Sequence, residues 1–293
     1  MIDLVMNWRQ AAAGAAALAG GSVVLRATHR PRLAAAATFT QESGLVLGLF
    51  ALWQLAGSVS LLGPTDALNR SRWIWHFERV IGLPNEAAVQ RFFLPHPLLI
   101  QFFNLYYDSL HFPVLIATLT WLFIWHRDAY KRVRTTVVLL TVSCLLVQLL
   151  PVAPPRMLPS TGMVDTAILY HQSVYNTVGG FDPDQLSAMP SVHVGWAILV
   201  AIAIITTART RWRWLALLYP VMTSLAVVVT ANHFWLDGIV AGLLLVLALT
   251  VQNATRTLVA RRRLVVADDD AHGLGEHRSD DGELARADDR AAQ

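Results

Sequence analysis

Six apolar runs, each close to the length a helix needs to cross a bilayer, constrain this chain more than any other feature. They occupy residues 45–62, 98–125, 135–152, 191–207, 214–230 and 233–251. At 1.5 Å rise per residue, about 20 apolar residues span the roughly 30 Å hydrocarbon core. Composition agrees: 55% of residues are hydrophobic and only 15% charged, with the charge gathered into short clusters. A soluble domain of this length would carry more charge, spread more evenly. The expected fold is all-α, a polytopic membrane bundle of six transmembrane helices with short interfacial helices on its outer face.

A further alanine-rich stretch, residues 11–25, has little transfer free energy. It leaves open a weak seventh span, a surface helix, or an extension of the first helix. A signal peptide is excluded, because Arg26, Arg30 and Arg32 come directly after it and oppose export. Cys144 is the only cysteine, so no intrachain disulfide can form, and it reads as a small buried hydrophobe. Lys131 is the only lysine among the basic residues, a usage that points to a GC-rich bacterial genome.

Charge sets the orientation. Basic clusters at 26–32, 127–134, 209–213 and 256–263 all fall on one side if six spans begin at Leu45. The positive-inside rule makes that side the cytoplasm of a bacterial plasma membrane. Anionic lipid accounts for these arginines, so no nucleic-acid partner is implied. The chain then divides into a basic, alanine-rich segment 1–44, a membrane domain 45–252, and a tail 253–293. Beyond Arg263 the tail is acidic and poor in large apolar residues, and should be disordered. The connections 63–97, 153–190 and 231–232 face outward.

Those outward connections hold the chemistry. In residues 71–82, Trp73, Phe77, Val80 and Ile81 recur at helical spacing beside Arg72, Glu78 and Arg79, which suits an interfacial amphipathic helix. Asn85 can cap a short helix ending before Pro95. The long connection 153–190 opens with a stiff proline-rich segment that delivers Arg156, whose guanidinium suits phosphate. At its end, Pro190 is expected in the first turn of a helix, with Ser191 and the free amides as anion donors and His193 one turn in. Asp182 and Asp184 within it read as local turns. His233 and Asp237 are four apart, so on a helix the carboxylate can accept the second imidazole proton. Asn232 is a candidate helix cap. His111, one turn after Asp108, reads as a residue for hydrogen bonding behind the site or for helix–helix pairing.

A guanidinium, helix-end amides and a hydroxyl form an anion cradle. An acid-oriented imidazole is a nucleophile, and a second imidazole can protonate a leaving oxygen. This scheme uses no cofactor and no metal.

At these residues the chain resembles the type-2 phosphatidic acid phosphatase superfamily. The second motif reads Pro190-Ser191-Val192-His193, with valine where the superfamily has glycine. The third keeps His233 and Asp237 but has Ala226 and Val227 in its Ser-Arg positions, and the first keeps Arg156 but has Leu149 in place of lysine. Two cationic contacts of the hydrolase pattern are therefore missing. Upstream, residues 77–86 and 104–113 resemble bacterial relatives of inositol phosphorylceramide synthases.

The resemblance implies catalysis by His193, His233 and Asp237. His233 would form a phosphohistidine, while Arg156 and Ser191 bind phosphate. The implied partners are a lipid phosphate or phosphodiester and an alcohol or inositol acceptor. Two other readings compete with it: a metal-dependent hydrolase built on the same histidines and carboxylate, and a non-catalytic lipid-binding or transport protein. The sequence does not name the donor, the acceptor or the oligomeric state.

Overall fold

The computed structural model describes residues 7–58, 64–172 and 186–261. Asp182, Asp184 and the acidic tail lie outside them, as does the end of the first expected span. Two units are distinguished, Met1–Val246 and Leu247–Gln293. In the second, the described residues continue the last helix to Arg261; the candidate site residues all belong to the first.

Among the described residues the regular elements are helices: α1 Trp8–Ala27, α2 Ala34–Ser58, α3 Pro64–Val80, α4 Glu86–Phe93, α5 Pro97–Ser109, α6 His111–Trp125, α7 Arg127–Gln148, α8 Thr166–Leu169, α9 Val192–Thr207 and α10 Leu218–Val229. The last helix, α11, runs Trp235–Arg261. The fold is all-α, as expected.

The alanine-rich stretch is the separate helix α1. Asn7 and Gln10 cap its start reciprocally, and a short 3-10 turn, Pro31–Leu33, divides it from α2. The two pack closely: a Cβ on Gly44 would lie 3.2 Å from the Ala15 carbonyl oxygen.

Among the described residues, two segments are each long and apolar enough to cross a membrane, Arg211–Val229 and Trp235–Arg261. The run expected as one span over 98–125 is instead a pair, α5 and α6, bent by 51°. Pro113 gives the physical reason. It lacks an amide proton, and its ring crowds the Ser109 carbonyl four residues back. Counted as one, the pair is a third span. The apolar segments Ala36–Leu52 and Val192–Thr207 are shorter, and α7 begins with a polar, mainly basic stretch, Arg127 to Arg134.

Large apolar side chains line the outer helix faces, while several polar groups are buried among an otherwise apolar core. Leu98, Phe102 and Leu105 on α5, Phe112 and Ile116 on α6, and Ile239, Leu243 and Val246 on α11 face outward at helical spacing. Glu78, Glu86, Gln90, Asn104, His111 and Asp237 are buried. Apolar outer faces of this kind suit hydrocarbon as solvent.

Candidate active site

Backbone pairing builds the frame of the site. Leaving α7, Val152 donates its amide to the Leu186 carbonyl at 2.7 Å and accepts from Ala188 at 3.0 Å, making a parallel bridge with Ser187. The long connection therefore begins and ends side by side. α3 holds the same strip: Arg70 Nε donates to the Pro151 carbonyl at 2.7 Å and Ser71 Oγ to the Ala153 carbonyl at 2.6 Å. Ile74, Val152, Ala188 and Phe234 form one buried apolar cluster, with Trp75, Met189 and Leu236 against it. Burying such side chains is worth roughly 1.5–3 kcal/mol each, enough to hold four chain segments together. The expected interfacial helix is thus longer than predicted and braces the site.

The turn between α10 and α11 places His233. Asn232 N–H bonds the Val227 carbonyl at 3.0 Å and Ala231 N–H the Val228 carbonyl at 2.9 Å, a Schellman turn. Its left-handed residue is Ala231, at φ 55°. A Cβ in that region costs roughly 1–2 kcal/mol. His233 therefore precedes the helix; it does not share a helical face with Asp237, as the spacing suggests. The ring's Nδ1 lies 2.6 Å from the Ala188 carbonyl oxygen and 3.3 Å from Asp237 Oδ2. Asp237 Oδ2 also accepts the Phe234 amide at 2.8 Å, closing the first turn of α11. With Nδ1 facing two acceptors, the proton sits there and Nε2 keeps its lone pair. His233 is nearly fully buried. Burial first, and then the positive charge of Arg156, lower its pKa from 6.5 to about 4, against the opposing Ala188 hydrogen bond.

Ser191 is the N-cap of α9, accepting from Val194 N–H at 3.4 Å, and its own amide bonds the Asp237 carbonyl at 3.1 Å. Pro190 therefore precedes the cap and is not in the first helical turn as expected. A hydroxyl that accepts still has a proton to donate. Two residues on, in the first turn of α9, the His193 ring lies 6.0 Å from that of His233, centroid to centroid, at 63°. Its Nδ1 is buried and has no hydrogen-bond partner among the described residues.

Arg156 arrives on a short 3-10 turn, Pro155–Met157, with its amide bonded to the Ala231 carbonyl at 3.2 Å. Its guanidinium is oriented from two sides: Nη1 donates to Asn232 Oδ1, and Nε lies 3.2 Å from Asp165 Oδ2. Asn232 lies two residues ahead of the α11 cap position and engages Arg156 there. All five candidate residues, Arg156, Ser191, His193, His233 and Asp237, thus come together through direct contacts or one shared neighbour.

Sequence reasoning missed four contributors. Tyr107 packs its ring 4.8 Å from His193 and 6.3 Å from His233. Asp165 balances Arg156. Gly195 and Gly238 let helices approach: a Cβ on Gly238 would lie 3.3 Å from Val194 Cγ1, and one on Gly195 3.2 Å from Leu140 Cδ2. Neither a tyrosine in an apolar run nor a glycine in a helix carries a signal without the fold.

His111 sits closer to the chemistry than expected, its ring 4.7 Å from His193. Its Nδ1 pairs with Tyr219 Oη at 3.2 Å, and Asp108 is exposed. Val227, in a cationic position of the superfamily pattern, is buried against Val194 and Val228 with Tyr107 alongside.

No curated protein and no solved structure matches the chain. The model of the PAP2 superfamily matches residues 72–251, from the third turn of α3 into α11, which is more than half of the chain. Phosphatase or phosphotransferase chemistry on phosphate esters is the kind of activity this implies. The protein is therefore a member of the PAP2 (type-2 phosphatidic acid phosphatase) superfamily.

Proposed function

We propose that this protein is a membrane-embedded lipid phosphatase or phosphotransferase working through a phosphohistidine. The observation that carries the proposal is the approach of the His193 and His233 rings to 6.0 Å, beside Arg156 and Asp237. Nε2 of His233 attacks phosphorus, the bond to the leaving oxygen breaks, and protonated His193 supplies that oxygen with a proton. Asp237 and the Ala188 carbonyl steady the imidazolium that forms. Arg156 and Ser191 hold the non-bridging oxygens. Neutral His193 then takes a proton from water or an acceptor hydroxyl, which attacks phosphorus, breaks the P–N bond and regenerates His233. No step of this cycle calls on a metal or a cofactor.

The substrate reading is a lipid phosphate or phosphodiester, with an alcohol such as inositol as acceptor. Val227 and Leu149, where the hydrolase pattern has cations, support a donor with less charge than a phosphate monoester. The four basic clusters support six spans in a bacterial plasma membrane, with the site opening on the extracytoplasmic side.

The test is purified protein presented with a panel of lipid phosphates and phosphodiesters, with and without inositol. Free phosphate release indicates a phosphatase, and a new phosphodiester a transferase. Label from the donor should be trapped on His233. Failure to convert or be labelled by any donor would leave a lipid-binding role in its place.

A further inference from the structure

We propose that Glu78 and Glu86 form a buried pair sharing one proton, and that this pair positions the helix carrying Asp237, making Glu78 a positioning residue for the reaction. The proposal rests on the reading of His233 and Asp237 as catalytic. Both glutamates are fully buried, Glu78 on α3 and Glu86 at the start of α4.

Three consecutive amides at the start of α11 each face a carboxyl group. Phe234 N–H donates to Asp237 Oδ2 at 2.8 Å, Trp235 N–H to Glu86 Oε1 at 3.5 Å, and Leu236 N–H to Glu78 Oε1 at 2.7 Å. The opening amides of a helix have no partners within it, and its dipole favours acidic groups there. Two of the three acids come from segments 149 and 158 residues away in sequence. They fix where α11 begins, and so where Asp237 points and where the chain must turn at His233.

Charge decides the protonation. The cation the structure pairs with these glutamates is Arg79. Its Nη1 lies 2.8 Å from Glu86 Oε2, its Nη2 3.6 Å from Glu78 Oε2, and its guanidinium stacks 4.5 Å from the centre of the Trp75 ring. One guanidinium balances one carboxylate. Glu78 Oε2 is buried and finds no donor among the described residues, and the Glu86 carboxyl meets the same guanidinium beside it. A proton on Glu78 Oε2, donated to Glu86, satisfies that oxygen and leaves a single charge for Arg79. Burial, the Glu86 hydrogen bond and its negative charge together push the Glu78 pKa up to about 9. A neutral acid with one donor and one acceptor is mimicked by glutamine but not by alanine.

The test uses full-length protein in lipid nanodiscs. Infrared difference spectra between wild type and Glu78→Gln at neutral pH should show a protonated-carboxyl stretch belonging to wild type; its absence overturns the proposal. Glu78→Ala should lower kcat about a hundredfold, with KM changed less than about threefold, as expected for lost positioning of the reacting groups. Glu78→Gln should recover most of that loss. A Glu78→Gln protein as impaired as Glu78→Ala would show that a charged carboxylate is required and would also overturn it. The spectra are taken without substrate, so they stand whether or not His233 is the nucleophile. An active His233→Ala protein would overturn the catalytic reading and leave the shared proton standing.

Discussion

The Nδ1 of His233 lies closer to the carbonyl oxygen of Ala188, at 2.6 Å, than to the carboxylate of Asp237, at 3.3 Å. The imidazole is therefore held chiefly by the backbone at the end of the long connection. That strip is itself paired to Val152 and packed on Ile74 of α3. In the proposed reaction, orientation and charge stabilisation, which a carboxylate often supplies together, are then divided between two groups.

This division separates two variants. His233→Ala removes the proposed nucleophile and should abolish turnover. Asp237→Asn keeps the Ala188 bond and retains an acceptor for the Phe234 amide, so the ring stays in place. Its loss is the charge proposed to steady the imidazolium, worth a few kcal/mol or roughly 10²-fold. Steady-state rates on the best lipid substrate check this, and equal loss in both variants would contradict it.

His193 is assigned the proton for the leaving oxygen. His193→Ala should slow reaction of alkyl and glyceryl esters by about 10²–10⁴-fold. A nitrophenyl phosphoester needs no proton on departure, so its turnover should fall much less. A uniform loss across leaving groups would point to a binding role instead.

The contact of α9 with α11 depends on Gly238, whose absent side chain admits Val194. Gly238→Leu should cost about 1–3 kcal/mol through overpacking and drive His193 away from His233. A lowered Tm with activity reduced beyond the loss of folded protein is the expected outcome. Full activity per folded molecule would mean that the helices accommodate the bulk elsewhere.

Two groups predict opposite pH limits on stability. His233 has a folded pKa of about 4, below its ordinary 6.5, set by burial and by Arg156. Its contribution is complete above pH 6.5 and is lost as pH falls through about 4. Glu78, raised by burial and Glu86 from 4.5 to about 9, contributes fully below pH 4.5 and loses that contribution as pH rises through about 9. Thermal unfolding across this range should show His233→Ala flattening the acid side and Glu78→Gln the alkaline side. Because His233 stays neutral well below pH 6.5, the acid limb of kcat/KM should not appear at an ordinary histidine value.

Apolar run length alone determined that this chain is helical and built for a membrane, since hydrocarbon rewards little else. Spacing and residue type also marked Arg156, Ser191, His193, His233 and Asp237 without any knowledge of the fold. The His233–Asp237 hydrogen bond forms, but not across a helical face: the helix starts after His233, because a Schellman turn at Ala231 ends α10 first. That depends on bonds to Val227 and Val228 together with packing. Only the tertiary structure brought in Ala188, Tyr107, Asp165 and the Glu78–Glu86 pair. Ala188 and Glu78 act across 45 and 158 residues of sequence, and Tyr107 through ring contacts that no periodicity encodes. A local pattern records which face of a helix is apolar. Which distant carbonyl or carboxyl meets that face is decided when the helices pack.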